Sequence, residues 1–428
     1  MAGAAPFAGG PAGSTAGRGG RLLGVDLARL LALLGMFATH LIVPVPDDGP
    51  GGVDGLFQLA AGRSSALFAL LAGVSLAIVT RGAPGGGAAR GQSRSGGVGD
   101  TATGRVTVGV HRRRLLVRAA AIAVIGLALG LLNSGVAVIL VYYAVLFCCA
   151  LPVLTWRAPA LAALAVGWGL LSPVVSMLVR PALPATTYQV PSVFSLLDPA
   201  ALLSELLVTG YYPVLTWATY LFAGLAVGRL LAPGGATLSD AGVPLRLGAG
   251  LTLVGLGLAT TSLVVSGALT GRGEVRGSLV DSSGSGNWEQ LALEMRRGFY
   301  GVHPEGSAWW LGMWVPHSGS IVDLAHTTGT ALLVLGLAWG AVHLVPQLPW
   351  RLLAGAGAMT LTLYTLHVAV LGSPLGDTGR ALARGSEHAL VLHASLALVG
   401  GAVLAALRRP GPLEQGVRRL TALVGSGR

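Results

Sequence analysis

Long apolar runs recur along this chain from end to end, separated by short polar stretches rich in glycine and proline. About 20 predominantly apolar residues suffice for an α-helix to cross the hydrocarbon core of a bilayer. Runs of that length predict spans at 22–44, 64–81, 115–132, 136–155, 158–179, 208–231, 246–270, 323–345, 351–373 and 387–407. The expected fold is therefore an all-α integral membrane protein, a polytopic bundle of about ten transmembrane helices. Residues 1–21 read as a disordered N-terminal tail, because MAGAAPFAGGPAGSTAGRGG lacks the charged-then-apolar order of a cleavable signal. Residues 22–407 form one membrane domain, with a flexible linker at 82–110, a long loop at 271–322 and a C-terminal tail at 408–428.

Composition agrees with the pattern. Apolar residues make up 53% of the chain and charged residues only 11%, against about 25% charged in soluble domains. A solvated surface cannot be built from so few charges. The two cysteines, Cys148 and Cys149, are adjacent within the fourth span, a placement that suits neither a structural disulfide nor a four-ligand metal site, and no metal is expected.

Charge adds an orientation. All 28 basic residues are arginine, and most fall in the tails and loops that share one side of the membrane when the spans alternate. Arginine excess in short loops marks the cytoplasmic side, so a multi-pass protein of the cell membrane with both termini cytoplasmic is expected. The net charge of +11 then reflects orientation and contact with anionic lipid. No nucleic-acid motif accompanies it.

Candidate chemistry begins on the first span. In RLLALLGMFATH, Arg29 and His40 are eleven residues apart with only uncharged residues between them. That step returns both side chains to nearly one helical face, about 16 Å apart along the axis. Asp26 shares the face. Ionisable groups within a span usually point into a protein cavity. His40 suits a general base near neutral pH, and Arg29 suits an anchor for an anion or for Asp26; alternatively Arg29 snorkels to the headgroups and His40 is a packed histidine. The topology puts His40 and His367, in LTLYTLHVAVL, near the outer ends of their spans, where they can meet, and His317 in the outer loop just before the eighth span. Arg63, Ser64 and Ser65 stand at the outer mouth of the second span, either as donors to a substrate oxygen or as a polar cap. Arg112, Arg113, Arg114 and Arg118, in HRRRLLVR, either bind the phosphates of a donor such as coenzyme A or anchor the chain on the cytoplasmic side. Thr360, Tyr364 and His367 share one helical face, lining a cavity or bonding between helices. Trp309, Trp310 and Trp314 read as interface anchors or as platforms for sugar faces.

VDLARLLALLGMFATH followed by GRSSALFALLAGVSLAI resembles the transmembrane acyltransferases of the heparan-alpha-glucosaminide N-acetyltransferase and YeiB-like group. GYYPVLTWATYLFAGLAVGRL, PHSGSIVDLAHTTGTALLVLGL and AGAMTLTLYTLHVAVL look like its actinobacterial branch. The Arg-x10-His spacing of Arg29 and His40 is similar to the first-helix motif of acyltransferase family 3, whose histidine is the proposed base. The first outer loop, PVPDDGPGGVDG, carries no counterpart of the histidine that heparan-type enzymes use there. The resemblance implies transfer of an acyl group, acetyl by expectation, from acyl-CoA to a hydroxyl or amine of a carbohydrate or related acceptor. His40, His367 and His317 would be catalytic. Arg29, Arg112, Arg113, Arg114 and Arg118 would hold the acetyl-CoA or other acyl-CoA co-substrate, and Asp26, Arg63, Ser64, Ser65 and Tyr364 the acceptor. Expected partners are the lipid bilayer and a small-molecule or glycan acceptor; a homodimer is compatible with this reading. A bundle with buried Asp, Arg and His also suits a proton-coupled transporter or flippase of a small molecule or lipid-linked glycan, and an inactive membrane scaffold is a third alternative.

Overall fold

A computed structural model describes residues 22–42, 53–80, 98–184, 186–231, 244–346, 348–373 and 387–424. The expected N-terminal tail and the first loop, 44–55, lie almost wholly outside them. Among the described residues there is no strand, and seven helices are long and apolar enough to cross a membrane. The chain is a polytopic helical membrane protein.

In chain order the helices are α1 (Leu23–Leu41), α2 (Val53–Ala60), α3 (Arg63–Val79), α4 (Val98–Leu129), α5 (Leu140–Ala150), α6 (Ala158–Val179), α7 (Pro199–Ser204), α8 (Val214–Leu231), α9 (Leu245–Thr270), α10 (Gly273–Ser283), α11 (Trp288–Arg297), α12 (Ile321–Leu344), α13 (Trp350–Leu353), α14 (Thr360–Leu371), α15 (Glu387–Ala406) and α16 (Pro412–Leu423). Two expected spans are shorter than anticipated. The fourth is α5, which Pro152 closes into the 3-10 turn Leu151–Val153 because proline offers no amide hydrogen to continue the ladder. The ninth breaks into α13, the 3-10 turn Ala356–Ala358 and α14. Gly357 permits that break: a Cβ there would overlap the backbone of Asp26, so the turn lies directly against α1. α4 begins at Val98, so the end of the segment expected to be linker is helical.

α1, α3 and α8 form the interior, with Ala28, Ala32, Leu33, Leu70 and Leu225 fully buried, whereas most of α6, α9 and α15 stays accessible. Lipid tails are as apolar as leucine, so close packing of small residues rather than expulsion from water holds such helices together. α9 and α12 meet in this way: a Cβ on Gly329 would stand 2.7 Å from the Ala259 nitrogen.

The 271–322 segment is a folded cap, not an open loop. Val275, Leu279, Leu291, Trp310, Met313 and Val315 make a separate core beneath α10 and α11. Trp310 is fully buried and donates from Nε1 to Ser282 Oγ at 3.0 Å. It serves the cap's packing, which corrects the expectation of an interface anchor.

Candidate active site

α1 carries His40 to one end of the bundle, called here the histidine end, and Arg29 toward the other, the arginine end. At the histidine end, His40 Nδ1 lies 3.2 Å from Nε2 of His367, on α14, with the two rings nearly parallel. Phe37, one turn back on α1, stacks on His367 at 4.2 Å, and His393 of α15 meets the same ring edge-on at 5.0 Å. His367 is thus fixed on three sides. Its Nδ1 is buried with no hydrogen-bond partner. The short contact needs one proton between the two rings; when His40 Nδ1 donates it, His40 Nε2 keeps a free lone pair.

In front of His40 is a cavity of about 30 Å³ lined by Ser64, Ser65, Tyr212, His317 and Tyr364 as well as by His40. It has room for about one water molecule. Ser64 reaches it because α1 and α3 approach closely at Gly35, where a Cβ would stand 3.0 Å from that of Ser64. Tyr364 accepts from the Ile139 amide at 3.4 Å, and Tyr212 donates to the Ala137 carbonyl at 3.2 Å. Both phenols are therefore tied to the segment that leads into α5.

His317 forms the opposite wall in a left-handed backbone conformation, φ 59°, rare for a residue with a side chain and characteristic of functional sites. The surrounding structure imposes it. Pro316 rests on Gly62, where a Cβ would stand 3.2 Å from the proline Cα. The His317 ring lies parallel to Trp217 at 6.2 Å and edge-on to Tyr212 at 5.8 Å. Asp323 accepts from the Gly319 amide at 3.0 Å, and Ser320 caps α12 by accepting from the Asp323 amide at 2.9 Å. Burial pushes His317 down to about 4, so its imidazole is neutral at physiological pH and acts as a hydrogen-bonding group rather than a cation.

Arg63 does not join this cavity. It donates from Nε to His326 Nε2 at 3.0 Å and from Nη1 to the Gln58 carbonyl at 2.5 Å, and it lies 4.7 Å over the Trp314 ring. Its place at the start of α3 turns it toward the cap, so both Arg63 and Trp314 join the cap to the bundle. Among the sequence-predicted residues, then, His40, His317, Ser64, Ser65 and Tyr364 share one chamber, His367 backs it, and Arg63 is elsewhere.

At the arginine end, Arg29 donates from Nη1 to Asp26 Oδ1 at 2.9 Å and from Nη2 to Ser75 Oγ. Arg118 lies 5.6 Å over the Phe147 ring and within electrostatic reach of Arg29 and Glu414. Arg112, Arg113 and Arg114 are exposed on the same helix. Glu414, in the segment expected to be a plain tail, accepts from the Leu361 and Thr362 amides at 2.8 and 3.1 Å and so caps α14.

The profile of the heparan-alpha-glucosaminide N-acetyltransferase catalytic domain matches residues 21–257, more than half of the chain. The chain belongs to that family. It is a membrane acetyltransferase by that membership. Among the curated proteins none matches the chain.

The matched segment holds Arg29, His40, Ser64, Ser65 and Tyr212, whereas His317, Tyr364 and His367 follow it. Four residues escaped the sequence reading. Tyr212 is one of two adjacent tyrosines, with no spacing that marks it out. Asp323 sits three residues after Ser320, a spacing that signals a helix start. Arg180 stands alone at a helix end, and His303 lies in a loop without periodicity.

Proposed function

We propose that this protein transfers an acyl group, acetyl in the first instance, from acyl-CoA to a hydroxyl or amine of a carbohydrate or related acceptor. The observation that carries the reading is the His40–His367 contact of 3.2 Å at the wall of a cavity shared with His317. An acceptor N–H or O–H placed in that cavity attacks the thioester carbonyl. The new C–N or C–O bond forms, its proton passes to His40 Nε2, and the C–S bond breaks to release the coenzyme A thiolate. His367 holds His40 in the productive tautomer, as the orienting third group does in a hydrolase triad. His317 and Tyr364 position the acceptor or the carbonyl oxygen.

In this reading the donor's phosphates lie at the arginine end, against Arg29, Arg112, Arg113, Arg114 and Arg118, and its arm reaches along α1 toward His40. The termini are then cytoplasmic and the histidine end faces outward. Asp26 keeps Arg29 oriented, so it serves the donor rather than the acceptor. A cavity with room for one water must widen to admit an acyl group, so side chains at the histidine end move during turnover.

The test uses purified full-length protein in lipid nanodiscs with radiolabelled acetyl-CoA and a panel of amino sugars and neutral sugars. Transfer, or slow thioester hydrolysis without an acceptor, is expected and should fall at least 100-fold in His40→Gln. Absence of both in the wild-type protein, or full activity in the variant, refutes the mechanism. Sugar uptake into proteoliposomes without acylation would favour transport instead.

A further inference from the structure

A second, larger chamber opens at the histidine end. It has a volume of about 430 Å³, and its walls include Arg180, Tyr188, Thr209, Tyr300, His303 and Glu305. Arg180, just past α6, is only 6% exposed. Among the described residues no carboxylate makes an ion pair with it. Its Nη1 donates to the His303 carbonyl at 2.6 Å, and its Nη2 lies 3.2 Å from His303 Nδ1.

That second contact cannot be a hydrogen bond when Nδ1 carries a proton. His303 Nδ1 stands 2.7 Å from the Pro304 carbonyl oxygen, which can only accept. The shorter contact fixes the proton on Nδ1, and Nη2 is left without an acceptor. Burial first, and the Arg180 charge second, pull His303 down to about 4, which keeps the ring neutral with a single N–H. Arg180 Nε is also buried with no partner. Nε and Nη2 form one edge of the guanidinium, the edge that grips an oxyanion with two parallel bonds. A desolvated cation with that edge unsatisfied is costly unless a ligand completes it.

Two other features suit a polyhydroxy ring. Thr209 lines the same chamber, and its Oγ1 is a second buried polar atom without a partner. Tyr188 and Tyr300 stand edge-to-face at 5.7 Å, and each meets Tyr211 at about 6 Å. Tyr300 is 65% exposed and Tyr188 45%, so broad aromatic surface flanks the mouth. Tyr188 is held there at φ 51° while Tyr211 donates to its carbonyl at 2.6 Å. Glu305 lies at the same mouth, exposed and within electrostatic reach of Arg180.

We propose that this chamber binds a sugar carrying an oxyanion, with the Nε/Nη2 edge of Arg180 on the carboxylate or phosphate, Thr209 on a ring hydroxyl, and Tyr188 and Tyr300 against the ring. Its wall is continuous with that of the candidate active site: the Gly301 amide donates to the His317 carbonyl at 2.9 Å, and the Phe299 amide to that of Pro316 at 2.8 Å. Binding goes beyond the acyl-transfer reading and does not require it; only the fate of the bound sugar rests on that reading.

Calorimetric titration of the full-length protein in nanodiscs with glucuronic acid, glucose 1-phosphate and glucose tests the proposal. At least one charged sugar should saturate with an affinity ten or more times that for glucose, and the stronger of the two identifies carboxylate or phosphate as the anion read. Arg180→Gln should weaken that binding at least tenfold, Thr209→Val several-fold, and Glu305→Gln should tighten it several-fold by removing a like charge. His40→Gln should leave it unchanged, so binding without transfer separates failure of the acyl-transfer reading from failure of this one. Equal binding of glucose, no saturation by any of the three, or an affinity indifferent to Glu305→Gln and Thr209→Val overturns it. Those two variants decide the matter even where Arg180→Gln does not fold.

Discussion

Replacing His367 separates its role from that of His40. His367 is almost fully buried, and Phe37 stacks on it at 4.2 Å. In the proposed mechanism it contributes the acceptor, 3.2 Å away, that holds His40 Nδ1–H. His367→Gln keeps an acceptor and most of the volume, whereas His367→Ala loses both. Leaving a buried donor without its partner costs about 1–3 kcal/mol, and at about 1.4 kcal/mol per tenfold that predicts a fall in kcat of about 5- to 150-fold for the alanine variant. KM for the acyl donor should stay within about twofold, because the proposed site for the phosphates is at the far end of α1. The assay is steady-state acetyl transfer in nanodiscs, with thermal unfolding measured alongside, since the vacated ring space alone costs about 3–5 kcal/mol by analogy with Phe→Ala changes. His367→Gln should recover at least half of the lost activation free energy. Unchanged kcat in His367→Ala, or a glutamine variant as impaired as the alanine one, would sink the tautomer argument.

Other consequences are open to direct measurement. His303 titrates near 4 in the folded protein against about 6.5 unfolded, so the unfolded chain binds more protons between those values and stability falls as pH drops through that window. The loss should reach about 2–3 kcal/mol between pH 7.5 and 4.5, and thermal unfolding of His303→Gln should show a correspondingly flatter pH profile. Asp323→Ala removes the acceptor for the Gly319 amide and frees the His317 loop; kcat should drop at least tenfold while limited proteolysis finds a new cut between α11 and α12. Glu414→Ala uncaps α14 and releases α16, at a cost of about 1–2 kcal/mol, seen as faster trimming of the C-terminus by carboxypeptidase with the rest of the chain intact.

The fold was readable from sequence where hydropathy alone decides it. The uninterrupted run from Leu245 to Thr270 admits little but a span, and α9 occupies it. The ninth run was not readable in the same way, because its break depends on Gly357 lying against Asp26, a contact between segments far apart in the chain. Nor was the cap: its core collects two residues from α10, one from α11 and three from the 308–315 stretch, too few in each to mark them. In the site, depth could be inferred but direction could not. Counting spans brought His40, His317 and His367 to one level, and the helical repeat put Tyr364 on the His367 face. The same reasoning set Arg63 at that level too, but its side chain turns to His326 and Trp314, a choice made by the cap. Arg180 and His303 were missed because a lone arginine at a helix end and a histidine in an aperiodic loop carry no local signature.

His40, Ser64 and Ser65 come from the first helices of the chain, and His317, Tyr364 and His367 arrive only with α12 and α14. A chain still emerging from the ribosome, or one cut between α9 and α12, holds half of the chamber and no histidine pair. On the acyl-transfer reading, completion of synthesis and docking of the late helices is therefore the event that creates the reactive group. Two fragments divided within the cap should each insert without activity and regain it when expressed together.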